Sequence, residues 1–293
     1  MVKTYNNLFD EIASYENVRA AIFEAARHKR KKASVRKALA CADELAAKIS
    51  NWLKNDEWRP VKVHNCTLIN DGINLKKRLI VCPEFTRDQI VHHAIMRVVY
   101  KYLAKKFYTY SCGSVKGKGS EFAIEKKIRA ETGTTKYAVQ IDIKKFFNSV
   151  RPSFVFKALR RTIRDKKALW LMARVLRNNV VRVNKDYLQL TEGLTVIKPV
   201  GKNRVLVKGG LPIGFYTSPI FANVLLSELD HYVKEKLQAS VYVRYMDDIL
   251  IFSSNKRKLK NICAKINEYL GKIRLRLKRE PAVHKFGSQS PPE

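Results

Sequence analysis

The sequence predicts an α+β fold, and three observations support that prediction. Helical and strand-like segments follow one another in mixed order along the 293-residue chain. Hydrophobic residues at 46% and aromatic residues at 10% supply enough apolar surface for a core. The sequence shows neither an internal repeat nor a low-complexity linker. At roughly 100–200 residues per domain, this length corresponds to one large domain or two closely packed ones.

The individual elements follow from hydrophobic periodicity. Apolar residues that recur three and four positions apart predict helices, and short apolar runs between turn signals predict strands. Helical segments are expected at residues 8–56, 86–107, 121–131, 152–177, 217–238 and 255–272. Strand-like segments are expected at residues 59–82, with a turn at Asn70-Asp71-Gly72, and at 137–143, 180–208 and 241–253.

The net charge indicates the class of partner. The chain has 58 Lys and Arg residues against 26 Asp and Glu residues, which gives a formal charge of +32. Such a charge repels itself, and a polyanionic partner relieves that repulsion. Nucleic acid is the leading candidate, and an anionic membrane is the second. Because the sequence has no uninterrupted apolar run of about 18 residues, we expect no transmembrane span and no membrane partner.

Cysteine usage and the first residues indicate the compartment. The five cysteines are an odd number without C-x-x-C spacing, so we expect them to be reduced and structural. Residues 1–7 lack the apolar core of a secretory signal. The sequence therefore predicts a cytoplasmic protein.

Two acidic elements point to metal chemistry. Asp247 and Asp248 stand between two apolar runs at 241–253, so a hairpin would place both carboxylates at its tip. Their repulsion is costly unless a cation lies between them, although a plain Asp-Asp turn is the alternative interpretation. Asp142 ends the apolar strand 137–143, where a charge needs a partner or a metal ion. Three carboxylates from two strand ends suit two hard divalent ions.

A third element is shaped by glycine and proline. Residues 210–223 form a loop that leads into a helix, which Thr217 or Ser218 would cap. Glycines in such a loop let the backbone lie close to a flat base or a sugar. Another glycine-bearing stretch at 111–120 would approach phosphates, with a flexible surface loop as the alternative.

Taken together and in this order, these elements resemble the motifs of reverse transcriptases. Four segments match in family order. Lys76–Ile80, with Pro83 and Arg87-Asp88, resembles the fingers segment that grips the triphosphate, and Asp142–Phe147 resembles the D-x-x-x-F-F segment of the palm. Leu211–Pro219 resembles the loop that positions template and nucleotide, and Tyr245–Asp248 resembles the Y-x-D-D catalytic turn. The resemblance covers roughly residues 60–280.

The resemblance implies a right-hand polymerase fold with fingers and palm. The implied ranges are an N-terminal helical extension at 1–58, fingers at 59–136, a palm with motifs A, B and C at 137–280 that includes a fingers insertion near 152–208, and a tail at 281–293. Relatives continue past the palm into a primer-grip hairpin and a helical thumb. No pattern of that kind is found here, so the thumb is expected to be absent or truncated.

The resemblance also implies roles for individual residues. The catalytic residues and metal ligands would be Asp142, Asp247 and Asp248, with the carbonyl of Ile143 as a further metal ligand. The nucleotide-binding residues would be Lys76, Arg78, Phe147, Ile213 and Gly214. The primer and template contacts would be Tyr245, Met246, Ser218 and Pro219, with Tyr245 packed behind the acids. Lys278 would lie near the leaving pyrophosphate.

Alternatives stay open for some of these residues. Phe147 would be the wall that excludes a ribose 2′-hydroxyl and Phe146 would belong to the core, or the two roles are exchanged. Lys76 and Arg78 would pair with triphosphate oxygens or would act only as surface charge. His92-His93 is expected to be structural.

Within the family, the chain is most similar to bacterial enzymes of the retron, diversity-generating and antiphage-defence groups. Ile213 stands where many relatives carry Gln, and Pro219 stands where diversity-generating enzymes carry Gln, which favours defence. The implied function is RNA-directed DNA synthesis by a bacterial retroelement or defence system. It would use dNTPs and Mg²⁺, with Mn²⁺ as the alternative, and would copy a cognate structured RNA into a DNA product.

Further partners and functions follow from the same resemblance. A second protein or self-association would complete the clamp around the duplex. Template-independent or protein-primed DNA synthesis is one alternative function. A non-catalytic RNA-binding maturation factor is another, although such a factor would have no need of the intact acidic triad.

Overall fold

The structure is a computed structural model. It describes the backbone of residues 3–71, 76–131 and 135–285, and their side chains except at 71, 76 and 126–131. The chain divides into two compact units, Met1–Lys105 with Val150–Phe221 and Lys106–Ser149 with Ala222–Glu293. Both units combine helices with a sheet, so the α+β prediction is confirmed. Over the described ranges, no helix combines the length and the hydrophobicity needed to cross a membrane.

Most predicted elements are present. The helices are α1 (Phe9–Ala13), α2 (Tyr15–Ala26), α3 (Ala33–Ala40), α4 (Ala42–Lys54), α5 (Ile90–Ala104), α6 (Ser120–Glu131), α7 (Phe146–Ser149), α8 (Pro152–Leu159), α9 (Lys166–Arg177), α10 (Ser218–His231) and α11 (Lys256–Lys272). The strands are β1 (His64–Asp71), β2 (Lys76–Cys82), β3 (Tyr137–Asp142), β4 (Val180–Asn184), β5 (Thr195–Val200), β6 (Arg204–Lys208), β7 (Val241–Tyr245), β8 (Asp248–Ser253) and β9 (Val283–Lys285). Short π-helical turns lie at Phe85–Gln89 and Tyr232–Lys236, and a 3₁₀ segment lies at Lys185–Thr191.

The first unit contains a five-stranded sheet with the order β2-β1-β4-β6-β5. Its neighbouring strands are antiparallel, except for β1 and β4, which are parallel. Helix α2 packs against α4 and α5, and Ile22, Ile49 and Ile95 from these helices are fully buried. These residues belong to the apolar stripes that helical periodicity predicts.

Asp165 joins the starts of two helices in the first unit. Its carboxylate accepts the backbone N–H groups of Leu8, Phe9 and Ala168 at 2.7, 2.8 and 3.0 Å, at the starts of α1 and α9. Partial burial acts to raise the pKa of Asp165, but these hydrogen bonds outweigh it and the pKa is lowered. The ionised carboxylate is therefore the form that stabilises the fold.

Replacing Asp165 by Ala is expected to lower the free energy of unfolding by about 1–2 kcal/mol, the usual cost of a lost helix cap. Because the folded-state pKa is lowered, the contribution is complete above the ordinary Asp pKa and disappears as the pH falls through the folded-state value. Urea unfolding of both proteins at neutral and at acidic pH measures the two effects. A stability difference that persists unchanged at acidic pH would show that the carboxylate charge is not the cause.

The second unit contains a four-stranded sheet with the order β7-β8-β3-β9, in which all pairs are antiparallel. Helix α11 packs against β3 and β8 through a buried face that includes Leu259 and Ile266. Asn255 caps this helix by accepting the N–H of Lys258 at 3.0 Å. The two central strands, β8 and β3, are thus held by neighbouring strands and by a helix.

The compact units differ from the predicted domain ranges. Residues 1–58 lie in the same unit as the β1–β2 hairpin, and residues 106–131 lie with the second unit instead of with the predicted fingers. Residues 152–208 lie with the first unit. The two units are defined by contacts between residues that are distant in the sequence. The hydrophobic periodicity of a single segment does not predict such contacts.

The predicted tail contains a strand. In β9, Val283 pairs with Val139 of β3. A three-residue strand is too short to give an alternation signal, and it forms because a free edge of β3 can accept a partner. Residues 286–293 lie outside the described ranges, as does Gly72 of the predicted turn.

Candidate active site

The acidic turn is a tight β-hairpin, as predicted. Strands β7 and β8 pair as far as Tyr245 and Asp248, which leaves Met246 and Asp247 as a two-residue turn. Met246 has a φ of 56°, in the left-handed region that costs a residue with a side chain about 1–2 kcal/mol. Backbone strain therefore lies directly beside the two acids.

Asp142 lies opposite Asp248 in the sheet. It is the last residue of β3 and the register partner of Asp248, the first residue of β8. Opposite residues of antiparallel strands have Cβ atoms about 4.5–5.5 Å apart. The sheet thus places two of the three predicted acids at facing positions, and the turn adds Asp247 next to them.

A lysine contacts the Asp142 carboxylate. The Nζ atom of Lys278 lies 2.6 Å from Oδ2 of Asp142, and the backbone N–H of Lys278 donates to the Asp142 carbonyl oxygen at 2.9 Å. The Lys278 side chain is 57% exposed, so water screens this ion pair. The sequence placed Lys278 near the leaving pyrophosphate, and the structure places it on a predicted metal ligand.

The acids suit a divalent metal ion because they supply oxygen ligands and because Asp142 and Asp248 are paired across two strands. Aspartate oxygens are ligands that Mg²⁺ and Mn²⁺ prefer, and a side-chain cation already contacts Asp142. Among the residues that the structure describes, no three His, Cys, Asp or Glu side chains converge into a ready-made metal site. A metal ion bound to Asp142 would compete with the Lys278 ammonium for this carboxylate.

The two phenylalanines after Asp142 differ in exposure. Phe146 is 2% exposed and belongs to the core, whereas Phe147 is half-buried, and the ring centroids are 5.4 Å apart. Ile143, whose carbonyl is a predicted metal ligand, is buried and forms an isolated β-bridge with Leu277. Burial therefore favours Phe147 over Phe146 as the residue that faces a nucleotide.

Tyr245 is exposed and its neighbour Arg244 is buried. Tyr245 is 43% exposed and Met246 is half-buried. Successive strand residues point to opposite faces, and Arg244 takes the inward position. Sequence reasoning missed Arg244, although a charge within an apolar strand is the same signal that identified Asp142.

In the first unit, the predicted nucleotide-positioning loop is fastened to β2. The carbonyl oxygen of Ile213 accepts the N–H of Val81 at 2.6 Å. Gly214 has a φ of 115°, and a Cβ at this position would lie 2.1 Å from the Val81 carbonyl oxygen. Glycine is required here, and the loop backbone lies directly against the strand that carries Arg78.

Aromatic contacts hold the rest of this loop. The buried ring of Phe215 has its centroid 4.9 Å from that of His64 and 4.8 Å from that of His92, and Tyr216 stacks on His93 at 3.7 Å. Burial lowers the pKa of His92 to about 3 and that of His93 to about 4, so both rings are neutral. Their burial and packing agree with the structural role predicted for this pair.

The residues after the loop are largely shielded. Ser218 is buried as the first residue of α10, and Pro219 is half-buried. The Thr217 hydroxyl has no hydrogen-bond partner in the part of the chain that the structure describes, so the Thr217 alternative for the predicted side-chain cap is wrong. The Thr217 carbonyl oxygen instead accepts the N–H of Phe221 at 2.9 Å.

The predicted triphosphate contacts lie on β2. Arg78 pairs in register with Ile69, and its side chain is exposed. Lys76 pairs with Asp71 at the start of the strand, but its side chain lies outside the described residues. The exposure of Arg78 leaves it accessible to an anionic ligand.

Replacing Gly214 by Ala is expected to detach the loop from β2 and to lower the free energy of unfolding by roughly 1–3 kcal/mol, because the new Cβ meets the Val81 carbonyl at a strained φ. Thermal unfolding and hydrogen exchange of the Val81 amide measure the effect. Gly201→Ala is the matched control, since Gly201 also has a positive φ, of 66°, but a Cβ added there would meet no described atom within 4 Å. If both variants lose the same free energy of unfolding, the contact between the loop and β2 does not contribute to stability.

Comparison with known proteins places the chain in a family. Residues 54–281 match the family model described as reverse transcriptase (RNA-dependent DNA polymerase). The retron Ec73 reverse transcriptase of Escherichia coli is 33% identical over 126 residues, which cover 41% of this chain and 34% of that protein. The putative COX1/OXI3 intron 1 protein of Saccharomyces cerevisiae is 27% identical over 149 residues, which cover 51% of this chain and 16% of that protein. The matches therefore span about a third or less of these relatives.

Solved structures share the fold. Apo telomerase from Candida tropicalis, truncated from its C-terminal domain, aligns with a TM-score of 0.52 at 17% identity over 85% of this chain and 56% of that chain. Telomerase from Candida albicans in complex with the TWJ fragment of telomeric RNA aligns with a TM-score of 0.53 at 15% identity over 80% of this chain and 43% of that chain. These likenesses concern the fold alone, and they confirm the predicted fingers-and-palm architecture. Because the family model covers most of the sequence and includes both strands that carry the acids, this chain belongs to the reverse transcriptase family.

Proposed function

We propose that the chain is an RNA-directed DNA polymerase that transfers deoxynucleotides from dNTPs to a primer 3′ end. The observation that supports this most strongly is the register pair of Asp142 and Asp248, with Asp247 in the adjoining turn. Carboxylates at neighbouring positions of two strands suit a pair of divalent ions that act on one phosphate. The charge of +32 suits a nucleic-acid partner.

The proposed metal ligands are Asp142, Asp247 and Asp248, together with the carbonyl oxygen of Ile143. When bound, Mg²⁺ or Mn²⁺ lowers the pKa of the attacking hydroxyl and neutralises the leaving pyrophosphate. Strands β3 and β8 orient the carboxylates because their pairing fixes the backbone. Lys278 balances the charge of Asp142 until a metal ion takes its place.

The proposed substrate contacts fall into two groups, nucleotide contacts and primer or template contacts. Nucleotide contacts are assigned to Lys76, Arg78, Ile213, Gly214 and Phe147. The two cations would pair with triphosphate oxygens, and the Phe147 ring would exclude a ribose 2′-hydroxyl. Primer and template contacts are assigned to Tyr245, Met246, Ser218 and Pro219, of which Tyr245 is the exposed one.

The proposed partners are a structured RNA template and a DNA product. Similarity to a retron reverse transcriptase supports a bacterial retroelement or an antiphage defence system as the setting, in the cytoplasm. A second protein or a second copy of the chain would help to enclose the duplex.

RNA affinity is expected to fall steeply with salt, because lysines and arginines that neutralise phosphates release counterions. A contact with about five to eight phosphates gives a slope of log affinity against log salt of about −4 to −7. Fluorescence anisotropy with a labelled RNA over a series of KCl concentrations measures the slope, and a peptide nucleic acid of the same sequence is the uncharged control. A slope near zero would mean that the positive charge serves another partner.

Extension of a DNA primer annealed to an RNA template tests the proposed reaction. With the full chain, four dNTPs and Mg²⁺, the primer is expected to lengthen, and EDTA is expected to stop the reaction. Equal synthesis without RNA would support template-independent addition instead. RNA binding without any DNA product would support the maturation-factor alternative.

A further inference from the structure

We infer that Arg244 is a positioning residue that holds the turn at Met246-Asp247 in the conformation that the catalytic acids need. The inference rests on the proposed polymerase function. Arg244 lies in β7, two residues before the turn, and its side chain is fully buried. Among the described residues, its guanidinium bonds only to members of the second unit.

All five N–H groups of this guanidinium are used. Nε and Nη2 donate to the two carboxylate oxygens of Asp230, both at 2.7 Å. Nη1 donates to Oδ1 of Asn223 and to the carbonyl oxygen of Met246, both at 2.9 Å. Nη2 also donates to Oγ of Ser111 at 2.7 Å. Because the five donors lie in one rigid plane, these bonds fix the orientation of the side chain.

The residues of this network indicate that it orients the turn and does not mainly stabilise the fold. Arg244 and Asp230 are 0% exposed, and the equally buried Tyr242 donates its hydroxyl to Asp230 at 2.6 Å. Taking two charges out of water is expensive, and well-packed apolar residues are often as stabilising as a buried ion pair. An apolar residue, however, offers no donor for the carbonyl oxygen of Met246.

The network contacts the turn on two sides. On one side, the guanidinium binds the Met246 carbonyl oxygen. On the other, Nδ2 of Asn223 donates to the carbonyl oxygen of Gly113 at 2.8 Å. Gly113 lies so close to the turn that a Cβ would be 2.6 Å from the Met246 backbone nitrogen. Met246 is therefore held at both ends while its φ is 56°.

The placement of this turn decides where the acids lie. Asp247 follows Met246 directly, and Asp248 comes next, opposite Asp142. Misplacement of reacting groups by about 1 Å can cost on the order of 100-fold in rate. Loss of the network should therefore slow turnover although no charge at the metal site has been removed.

Two variants separate positioning from charge. Arg244→Lys keeps a positive charge for Asp230 but lacks the planar fork that reaches Asn223 and the turn carbonyl together. Asn223→Ala keeps the ion pair and removes the link to Gly113. Ile266→Ala, on the buried face of α11 in the same unit, is the matched control for lost stability.

Turnover, the KM for dNTP, and Mn²⁺ binding by electron paramagnetic resonance are measured below the melting temperature of each variant. We expect kcat to fall about 100-fold in Arg244→Lys and about 10-fold in Asn223→Ala, with KM changed by less than about threefold. Mn²⁺ binding should weaken in both variants. Ile266→Ala is expected to retain the kcat and the Mn²⁺ affinity of the wild type.

Wild-type kcat and Mn²⁺ affinity in both network variants would overturn the inference, because the network would then be only structural. If Arg244→Lys does not fold, Asn223→Ala decides the question by the same two measurements. A wild-type chain that makes no DNA would contradict the proposed function. Tighter Mn²⁺ binding by that chain than by both variants would still support the positioning role.

Discussion

Asp247→Asn is expected to abolish nucleotide incorporation while leaving RNA affinity nearly unchanged. The substitution preserves the size of the side chain and removes one negative charge, so it weakens metal binding without disturbing the hairpin. If the acids hold metal ions as proposed, losing those ions would remove both hydroxyl activation and charge neutralisation, and we expect this to cost at least about 1,000-fold in rate. Asp142→Asn should behave alike, and Asp248→Asn should be milder if its metal contact runs through water.

Single-turnover primer extension at saturating Mg²⁺ measures the rate, and fluorescence anisotropy measures RNA binding. Asp186→Asn is the matched control, because it makes the same change at an exposed aspartate of the first unit. This control should retain wild-type rates. A wild-type rate in Asp247→Asn at saturating Mg²⁺ would remove Asp247 from the proposed metal ligands.

Phe147→Ala is expected to raise the use of ribonucleotides relative to deoxyribonucleotides by about 100-fold, because a rigid wall discriminates by a clash that is hard to relieve. A competition assay with matched dNTP and NTP pairs measures the ratio. Phe147 is half-buried, so the protein should remain folded after truncation.

Phe146→Ala is the companion variant for this experiment. Phe146 is a core residue, and its truncation is expected to cost about 3–5 kcal/mol of stability without changing the sugar ratio. If the ratio changes with Phe146→Ala and stays constant with Phe147→Ala, the two roles are exchanged. If neither variant changes it, neither ring acts as the sugar wall.

Local patterns predicted both halves of the acidic site. The two apolar runs on either side of Asp247-Asp248 predicted the hairpin, and the apolar run that ends at Asp142 predicted β3. The register that sets Asp142 opposite Asp248 is not contained in either pattern, because strands distant in sequence pair through the tertiary fold. Family resemblance supplied that link.

Charged residues within apolar strands have partners that the sequence does not identify. Asp142 and Arg244 are both charged residues in apolar strands, but the partner of Arg244 is Asp230 in α10. Helical periodicity shows that α10 has a buried face without showing which strand that face meets. The contact of Lys278 with Asp142 is non-local in the same way.

Local propensity was also overridden by burial. Thr217 is a favourable residue for a helix cap, yet its hydroxyl is buried without a partner within the described residues. Tertiary packing around the loop decides that position.

Sequencing of the DNA made on a defined heteropolymeric RNA template tests the central claim most directly. The full chain is supplied with the primed template, four dNTPs and Mg²⁺, and Asp247→Asn controls for a contaminating polymerase. The proposed function predicts DNA that is complementary to the RNA and that is missing when the variant is used. DNA whose sequence does not follow the template, or complementary DNA made equally by the variant, would contradict it.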